Sequence, residues 1–347
     1  MVLEGKRVLI TGGTGSLGQS VVRRLLTGVM GRPAKIVVFS RDEAKQHYMR
    51  QDYLKRRAVT EDVIYRDSTS LLSFRIGDMR DYSSVLQAIR DTDVVIHAAA
   101  LKQVPTCEYH PYEAVQTNIG GAQNLVRAIR ENDTPVEAVV AISTDKACKP
   151  INVMGMTKAI QERVIAGGNT PGGRTRFLCV RYGNVVASRG SVVPLFLDQI
   201  RTGGPVTITL KEMTRFLLSL DQAVDTVLAA LTSGRAGETW IPKALSARVV
   251  DIAESLIDGR KIAINYTGIR PGEKVHEVLV SEEEIFRTVE RDGYYVVRPV
   301  LPELRGAETI TPVLHEEFSS AVVNLEGAAL KDMLRSASAE LDSSHLT

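Results

Sequence analysis

Cysteine is scarce in this chain, with only Cys107, Cys148 and Cys179 among 347 residues. The odd number and the lack of metal-ligand spacing argue against a disulfide framework and a zinc site, and a reducing cytoplasm is the expected compartment. An excess of one charge is also missing. Lysine and arginine total 43 against 41 aspartates and glutamates, a formal net of +2, and no basic cluster marks nucleic acid as a main partner. No apolar run reaches the roughly eighteen residues that a membrane span requires. Met1 to Arg7 runs straight into an apolar stretch, so a soluble, unprocessed protein is expected. Internal repeats and low-complexity tracts are absent as well. The 44% apolar and 24% charged residues suit one large α/β core with a smaller lobe.

The first informative segment joins a β-branched run, Arg7-Val8-Leu9-Ile10-Thr11, to a helical pattern from Gln19 to Leu26. Between them lies Gly12-Gly13-Thr14-Gly15-Ser16-Leu17-Gly18. Glycines at 12, 15 and 18 allow a tight turn, close approach of a pyrophosphate and near packing of helix on strand, with the helix N-terminus facing the phosphates. A glycine triplet alone is a weak signal, but the strand before it and the helix after it favour dinucleotide binding over a purely structural turn.

A second strand, Lys35 to Phe39, ends in Ser40-Arg41-Asp42. A carboxylate at this place suits the ribose hydroxyl of NAD, whereas an arginine can hold a 2′-phosphate. Ser40, Arg41 and Lys45 therefore favour NADP; the alternative makes Arg41 and Lys45 solvated helix-start residues and Asp42 an N-cap. Phe74 to Met79, with Asp78 and Met79 at its end, reads as a third strand and adenine-edge loop. Val94 to His97 reads as a fourth, followed by Ala98-Ala99-Ala100, small enough for a cofactor to lie against backbone. His97 reads as a packed strand-end residue. Strands alternating with helical stretches (83–89, 112–130, 157–165) give βαβ units and a Rossmann-type doubly wound parallel sheet.

The most informative segment is Ser143-Thr144-Asp145-Lys146, after the apolar run Ala138 to Ile142. It puts an acid and an amine where strand gives way to loop, the edge at which open α/β sheets do chemistry. Met154 and Lys158, four apart, share a helix face. An exposed turn pair would be the ordinary reading of an isolated Asp-Lys.

Together with His97-Ala98-Ala99-Ala100-Leu101-Lys102-Gln103-Val104-Pro105, these motifs resemble the extended short-chain dehydrogenase/reductases. More narrowly, the chain resembles the inverting UDP-N-acetylglucosamine 4,6-dehydratases. That likeness continues through Thr117-Asn118-Ile119-x-Gly121, Arg181-Tyr182-Gly183-Asn184-Val185, Ser188-Arg189-Gly190-Ser191-Val192, Met213-Thr214-Arg215-Phe216 and Arg270-Pro271-Gly272-Glu273-Lys274. It covers about residues 5 to 300. Met154 departs from the wider superfamily, which usually has a tyrosine there; a thioether exchanges no proton. Some capsule-type members of the family it resembles also carry methionine here.

The resemblance implies an NADP-dependent lyase acting on a UDP-sugar. Hydride would leave carbon 4, Lys146 would remove the carbon 5 proton, and neutral Asp145 would protonate the departing carbon 6 hydroxyl. Hydride would then return to carbon 6. Lys158 would bind the nicotinamide ribose, and Thr144 would donate to the oxygen at carbon 4. For its role Lys146 should be partly neutral near pH 7, through burial and the like charge of Lys158. Arg215 and Arg270 suit a diphosphate and Glu273 the uridine ribose. Lys102 and Asn118 would shape the site near sugar and cofactor, with Tyr182, Asn184 and Val192 on the substrate side.

The expected organisation is an NADP-binding domain over 1–185, with a returning part around 217–243, an interleaved substrate lobe over 186–300 and an extension over 301–347. Leu325 to Leu341 reads as a helix. A homo-oligomer is implied by the resemblance alone. Two other readings stay open: a UDP-hexose 4-epimerase, which needs no base for carbon 5, and a non-catalytic NADP-sensing regulator, suggested by the missing tyrosine.

Overall fold

A computed structural model describes residues 1–59, 71–186, 191–305 and 311–345. Its centre is a nine-stranded sheet formed by β1 (Arg7–Thr11), β2 (Lys35–Ser40), β3 (Leu72–Ile76), β4 (Val94–His97), β5 (Ala138–Thr144), β6 (Arg176–Tyr182), β7 (Thr239–Pro242), β8 (Thr288–Arg291) and β9 (Tyr294–Val297). The spatial order is β8-β9-β7-β6-β5-β4-β1-β2-β3. Strands β3 through β7 pair in parallel, and β9 joins β7 antiparallel. This is a Rossmann-type sheet.

Side chains explain why the sheet is buried on both faces. Val8, Ile10, Val94, Ile96, Ala138 and Val140 enter one core, where they meet Val21, Val22 and Leu25 of the helix Ser16–Leu26 and Val224 and Val227 of Leu220–Ser233. The intervening Leu9, Val95, Val139 and Ala141 enter the opposite core, with residues of the helices Tyr82–Ile89 and Gly121–Arg130. Alternation with period two therefore sends successive residues of each strand to different helix layers. The order reverses between β1 and β4, opening a crevice at their carboxyl ends, the place where such sheets bind ligands.

The helical pattern over 112–130 is realised in three pieces: Pro111–Ala114, a wider π-helical turn Val115–Gly120, and Gly121–Arg130. The helix Leu220–Ser233 and strand β7 return to the main sheet. Residues 288–297, grouped by sequence with the substrate lobe, form an edge hairpin of that sheet instead. A second core gathers Val193, Phe196, Ile208, Met213, Ile252 and Leu330. Beyond residue 301, Phe318–Ser319 pairs antiparallel with Val278–Val280, and a helix spans Gly327–His345. No helix among the described residues is long and apolar enough to cross a membrane.

One buried ion cluster ties β6 to the elements around it. Arg181 donates to Glu162 (2.6 Å) and to Glu284 (2.6 Å and 3.1 Å), with another hydrogen bond to the Leu279 carbonyl. Burial pushes the Glu284 carboxyl up, but Arg181 overrides it and brings the group down to about 2. Its contribution to stability is thus full above the ordinary glutamate value, about 4.3, and is lost as pH falls toward 2. Replacing Arg181 with Leu strands the buried Glu284 and the half-buried Glu162 and should cost about 3–5 kcal/mol. Urea unfolding at several pH values should show that loss at neutral pH and a shallower decline in acid than wild type.

Candidate active site

The crevice between β1 and β4 opens into a cavity of about 600 Å³ that runs along the carboxyl edge of the sheet. At one end is the glycine turn. Gly12 has φ +67°, and a Cβ there would lie 2.7 Å from the Ala99 nitrogen. A Cβ on Gly18 would lie 2.5 Å from the Gly13 Cα, so glycine lets the helix meet the turn. The helix Ser16–Leu26 starts from Gly15 with no side-chain cap and no acid in its first turn. Its first N–H groups therefore face the cavity as an anion site. This cradle fits the diphosphate of a nicotinamide dinucleotide, and Gly12, Thr14, Gly15, Ser16, Leu17 and Gly18 all line it.

Farther along, Ser40, Arg41 and Lys45 line the same cavity, beside Asp78 and Met79. Arg41 lies 3.8 Å from Asp78, and Lys45 pairs with Asp42 at 2.8 Å. Ala98, Ala99 and Lys102 continue the wall. His97 is fully buried with Nδ1 2.8 Å from the Thr11 hydroxyl; burial, with Lys158 as neighbour, takes its imidazole down to about 3. It is a neutral packing residue, as its strand-end position suggests.

The far end of the cavity holds Thr144, Asp145, Lys146, Met154 and Lys158. Strand β5 runs to Thr144 and breaks into the short turn Asp145–Ala147. Asn152 then caps the helix Val153–Gly167 by accepting from the Gly155 N–H at 2.8 Å. A Cβ on Gly155 would collide with the Lys146 carbonyl, so glycine permits this helix to lie against the turn. Met154 is buried with Cys107 and Ala114. Lys158, one turn on, donates to the Ile142 carbonyl (2.6 Å) and to Gln161 (2.5 Å), and burial lowers its ammonium to about 8.

Asp145 is 1% exposed. Its Oδ1 accepts from the Thr144 hydroxyl (2.8 Å) and Lys146 Nζ (3.1 Å), while Oδ2 has no partner. Burial, joined by the charge of Glu277, raises this carboxyl against the pull of Lys146. Lys146 also pairs with Glu277 at 2.9 Å. Burial disfavours its ammonium, but Asp145 and Glu277 outweigh burial and lift the amine above its ordinary value. The expectation of a partly neutral Lys146 is therefore corrected for this state: Lys146 is held by two carboxylates, and Lys158 makes its hydrogen bonds to Ile142 and Gln161 instead.

Other residues expected on the substrate side divide into two groups. Tyr182 and Asn184 line the cavity. Asn118, fully buried, bonds both backbone groups of Leu101 and the Thr157 hydroxyl and is not among the lining residues. Val192 packs against the second core. Arg215 is buried behind the site, donating to the Thr214 and Val275 carbonyls with Nε 4.0 Å from Glu277. Arg270 is exposed, and Glu273 accepts from Thr209 at 3.0 Å; neither lines the cavity. Ser188, Arg189 and Gly190 lie outside the described residues. Three residues not foreseen are Thr117 and Ser191, cavity-lining with unpartnered buried hydroxyls, and Glu277. An acid within Val275 to Val280, otherwise largely apolar, was the available signal for Glu277.

A family described as "Polysaccharide biosynthesis protein" matches residues 8–299. A UDP-glucose 4-epimerase of Rickettsia prowazekii is 45% identical over 295 residues, covering 84% of this chain and 82% of that protein. The inverting UDP-N-acetylglucosamine 4,6-dehydratase of Campylobacter jejuni is 40% identical over 334 residues, covering 95% and 92%. Among solved structures, Pen from Bacillus thuringiensis superposes with a TM-score of 0.84 at 33% identity, covering 98% of this chain and 99% of that one.

An acid whose proton affinity is raised on folding costs stability once pH exceeds its unfolded value, about 3.9 for aspartate. Asp145→Asn should remove that cost. Urea midpoints of the variant should equal or exceed those of wild type at pH 8 and lose the advantage near pH 4; a variant much weaker at pH 8 contradicts the assignment.

Proposed function

The chain belongs to the polysaccharide biosynthesis protein family of extended short-chain dehydrogenase/reductases, and we propose that it is an NADP-dependent UDP-N-acetylglucosamine 4,6-dehydratase that inverts carbon 5. The observation that carries the reading is the Asp145–Lys146 pair: a buried acid with an unpartnered oxygen next to an amine, both on the cavity wall. The product would be the 2-acetamido-2,6-dideoxy-4-ulose of UDP with L-arabino configuration, suited to surface-polysaccharide synthesis.

When bound, the cofactor supplies hydride acceptance from carbon 4 and hydride return to carbon 6. The glycine turn would hold its diphosphate, Arg41 and Lys45 would bind its 2′-phosphate, and Lys158 would bond the nicotinamide ribose. As hydride leaves carbon 4, the 4-hydroxyl proton passes through the Thr144 hydroxyl, which donates to Asp145 Oδ1 at 2.8 Å, onto Asp145, and Thr144 then directs its hydroxyl to the new carbonyl oxygen at carbon 4. Lys146 takes the carbon 5 proton, which the neighbouring carbonyl acidifies; the C–H electron pair forms the C5–C6 double bond as the C6–O bond breaks, and hydride later adds at carbon 6 of that double bond while a proton returns to carbon 5. Asp145 gives its proton to the departing hydroxyl, which leaves as water. Its raised proton affinity, caused first by burial, favours the acid form that this step requires. Met154 provides no proton, so the acid and base work falls on these two residues.

The epimerase reading has a specific support in the 45% identity to the Rickettsia protein. It gives Asp145 no leaving group to protonate and Lys146 no carbon acid. Incubation with UDP-N-acetylglucosamine in deuterated water, followed by proton NMR, separates the readings. Dehydration gives a new methyl signal, loss of the carbon 6 hydroxyl and deuterium at carbon 5, with coupling constants reporting inversion. A 4-epimer with carbon 6 unchanged selects the epimerase. Lys146→Ala should abolish carbon 5 exchange while cofactor affinity stays unchanged; retained exchange removes Lys146 from the base role.

A further inference from the structure

Lys146 meets the requirement for a base only if it can lose a proton, and its surroundings hold it as an ammonium. The resolution lies behind it. Glu277 is 1% exposed and does not line the cavity, yet its Oε1 is 2.9 Å from Lys146 Nζ and its Oε2 has no hydrogen-bond partner. The backbone of Glu277 is fixed on both sides: its N–H donates to Ser320 Oγ (2.9 Å) and its carbonyl accepts from the Ser320 N–H (2.8 Å). The other charged or titratable groups facing the pair are Asp145, Arg215 at 4.0 Å from Oε1, and Lys274 at 3.9 Å from Oε2, with Cys148 beyond, whose carbonyl accepts from Lys274.

We infer that Glu277 is the proton acceptor for Lys146, a positioning residue that converts the lysine into a free amine once substrate fills the cavity. The inference rests on the reading of Lys146 as the carbon 5 base. Water has a route to this pair through the cavity, on the Lys146 side: the lysine side chain is 22% exposed and that of Glu277 only 2%. An occupant of the cavity removes this hydration, and a dehydrated ion pair loses the solvation that favoured separated charges. The proton moves from Nζ to Oε1, leaving an amine hydrogen-bonded to a carboxylic acid with no change in total charge. The amine lone pair then takes the carbon 5 proton and restores the ammonium; once that ammonium has given up its proton, the acid on Glu277 returns its own to Lys146 across the 2.9 Å contact and the starting ion pair is restored.

An internal transfer has a pH signature that a merely structural role lacks. In wild type the proton stays within the pair, so deuterium uptake at carbon 5 should be nearly independent of pH between about 6.5 and 8.5. In Glu277→Gln the lysine must release its proton to solvent. Uptake should fall at least about a hundredfold near neutrality and rise about tenfold per pH unit toward the ordinary lysine value. NADP affinity, measured by calorimetry, should match wild type. Glu277→Asp keeps an acceptor and should keep a flat profile. Normal uptake in Glu277→Gln, or a low but flat profile, overturns the role of Glu277 alone; absence of uptake in wild type overturns the dehydratase reading and this inference with it. If the glutamine variant fails to bind NADP, Glu277→Asp decides: a flat profile supports the transfer and a tenfold-per-unit slope refutes it.

Discussion

One charge cluster, Asp145–Lys146–Glu277, with both carboxylates buried, is the constraint around which the candidate site is built. Two carboxylates and one ammonium leave water together, and the balance among them decides which carries a proton. Burial, with the charge of Glu277, raises the proton affinity of Asp145, whereas the cationic neighbours Lys146, Arg215 and Lys274 lower that of Glu277 despite its burial. The surroundings are arranged to keep these groups close. Gly155 permits the helix beside them to approach the turn, and Gly183 leaves room at Asp145 Oδ2, from which an added Cβ would be 3.2 Å away.

The parallel sheet supplies the frame. Its two-sided burial makes strand positions rigid, and its carboxyl edge puts the ends of β1, β2, β4 and β5 along one cavity. Cofactor cradle and acid–amine pair are therefore two regions of one wall, set by strand register. The buried Arg181 cluster extends the same frame to the returning C-terminal elements, because Glu162 lies on the helix that bears Met154 and Lys158 while Glu284 follows the strand that begins after Glu277.

Much of the sheet and the cofactor end was legible in the sequence because the signals there are local. A glycine turn between strand and helix, an arginine two residues past a strand, and Asp-Lys at a strand end each lie within one short window. Asn118 and Arg215 were harder: their residue types suit ligand contact, but Asn118 spends its amide on Leu101 and Thr157, and Arg215 spends donors on backbone carbonyls. The proton state of Lys146 was not legible from its own segment. It depends on Glu277, 131 residues away along the chain, and composition near Lys146 carries no record of that partner.

The antiparallel pairing of Val278–Val280 with Phe318–Ser319 has a consequence for the order in which the protein is made. Ser320 secures both backbone groups of Glu277, so the carboxylate that faces Lys146 is anchored by a segment synthesised after every residue that lines the cavity. The glycine-lined cradle, built from residues between about 12 and 102, can form while that segment is still being made. The charge balance around Asp145 and Lys146 is completed only when the chain has been translated past residue 320, so nascent protein can form the glycine-lined cradle before this cluster has all its members.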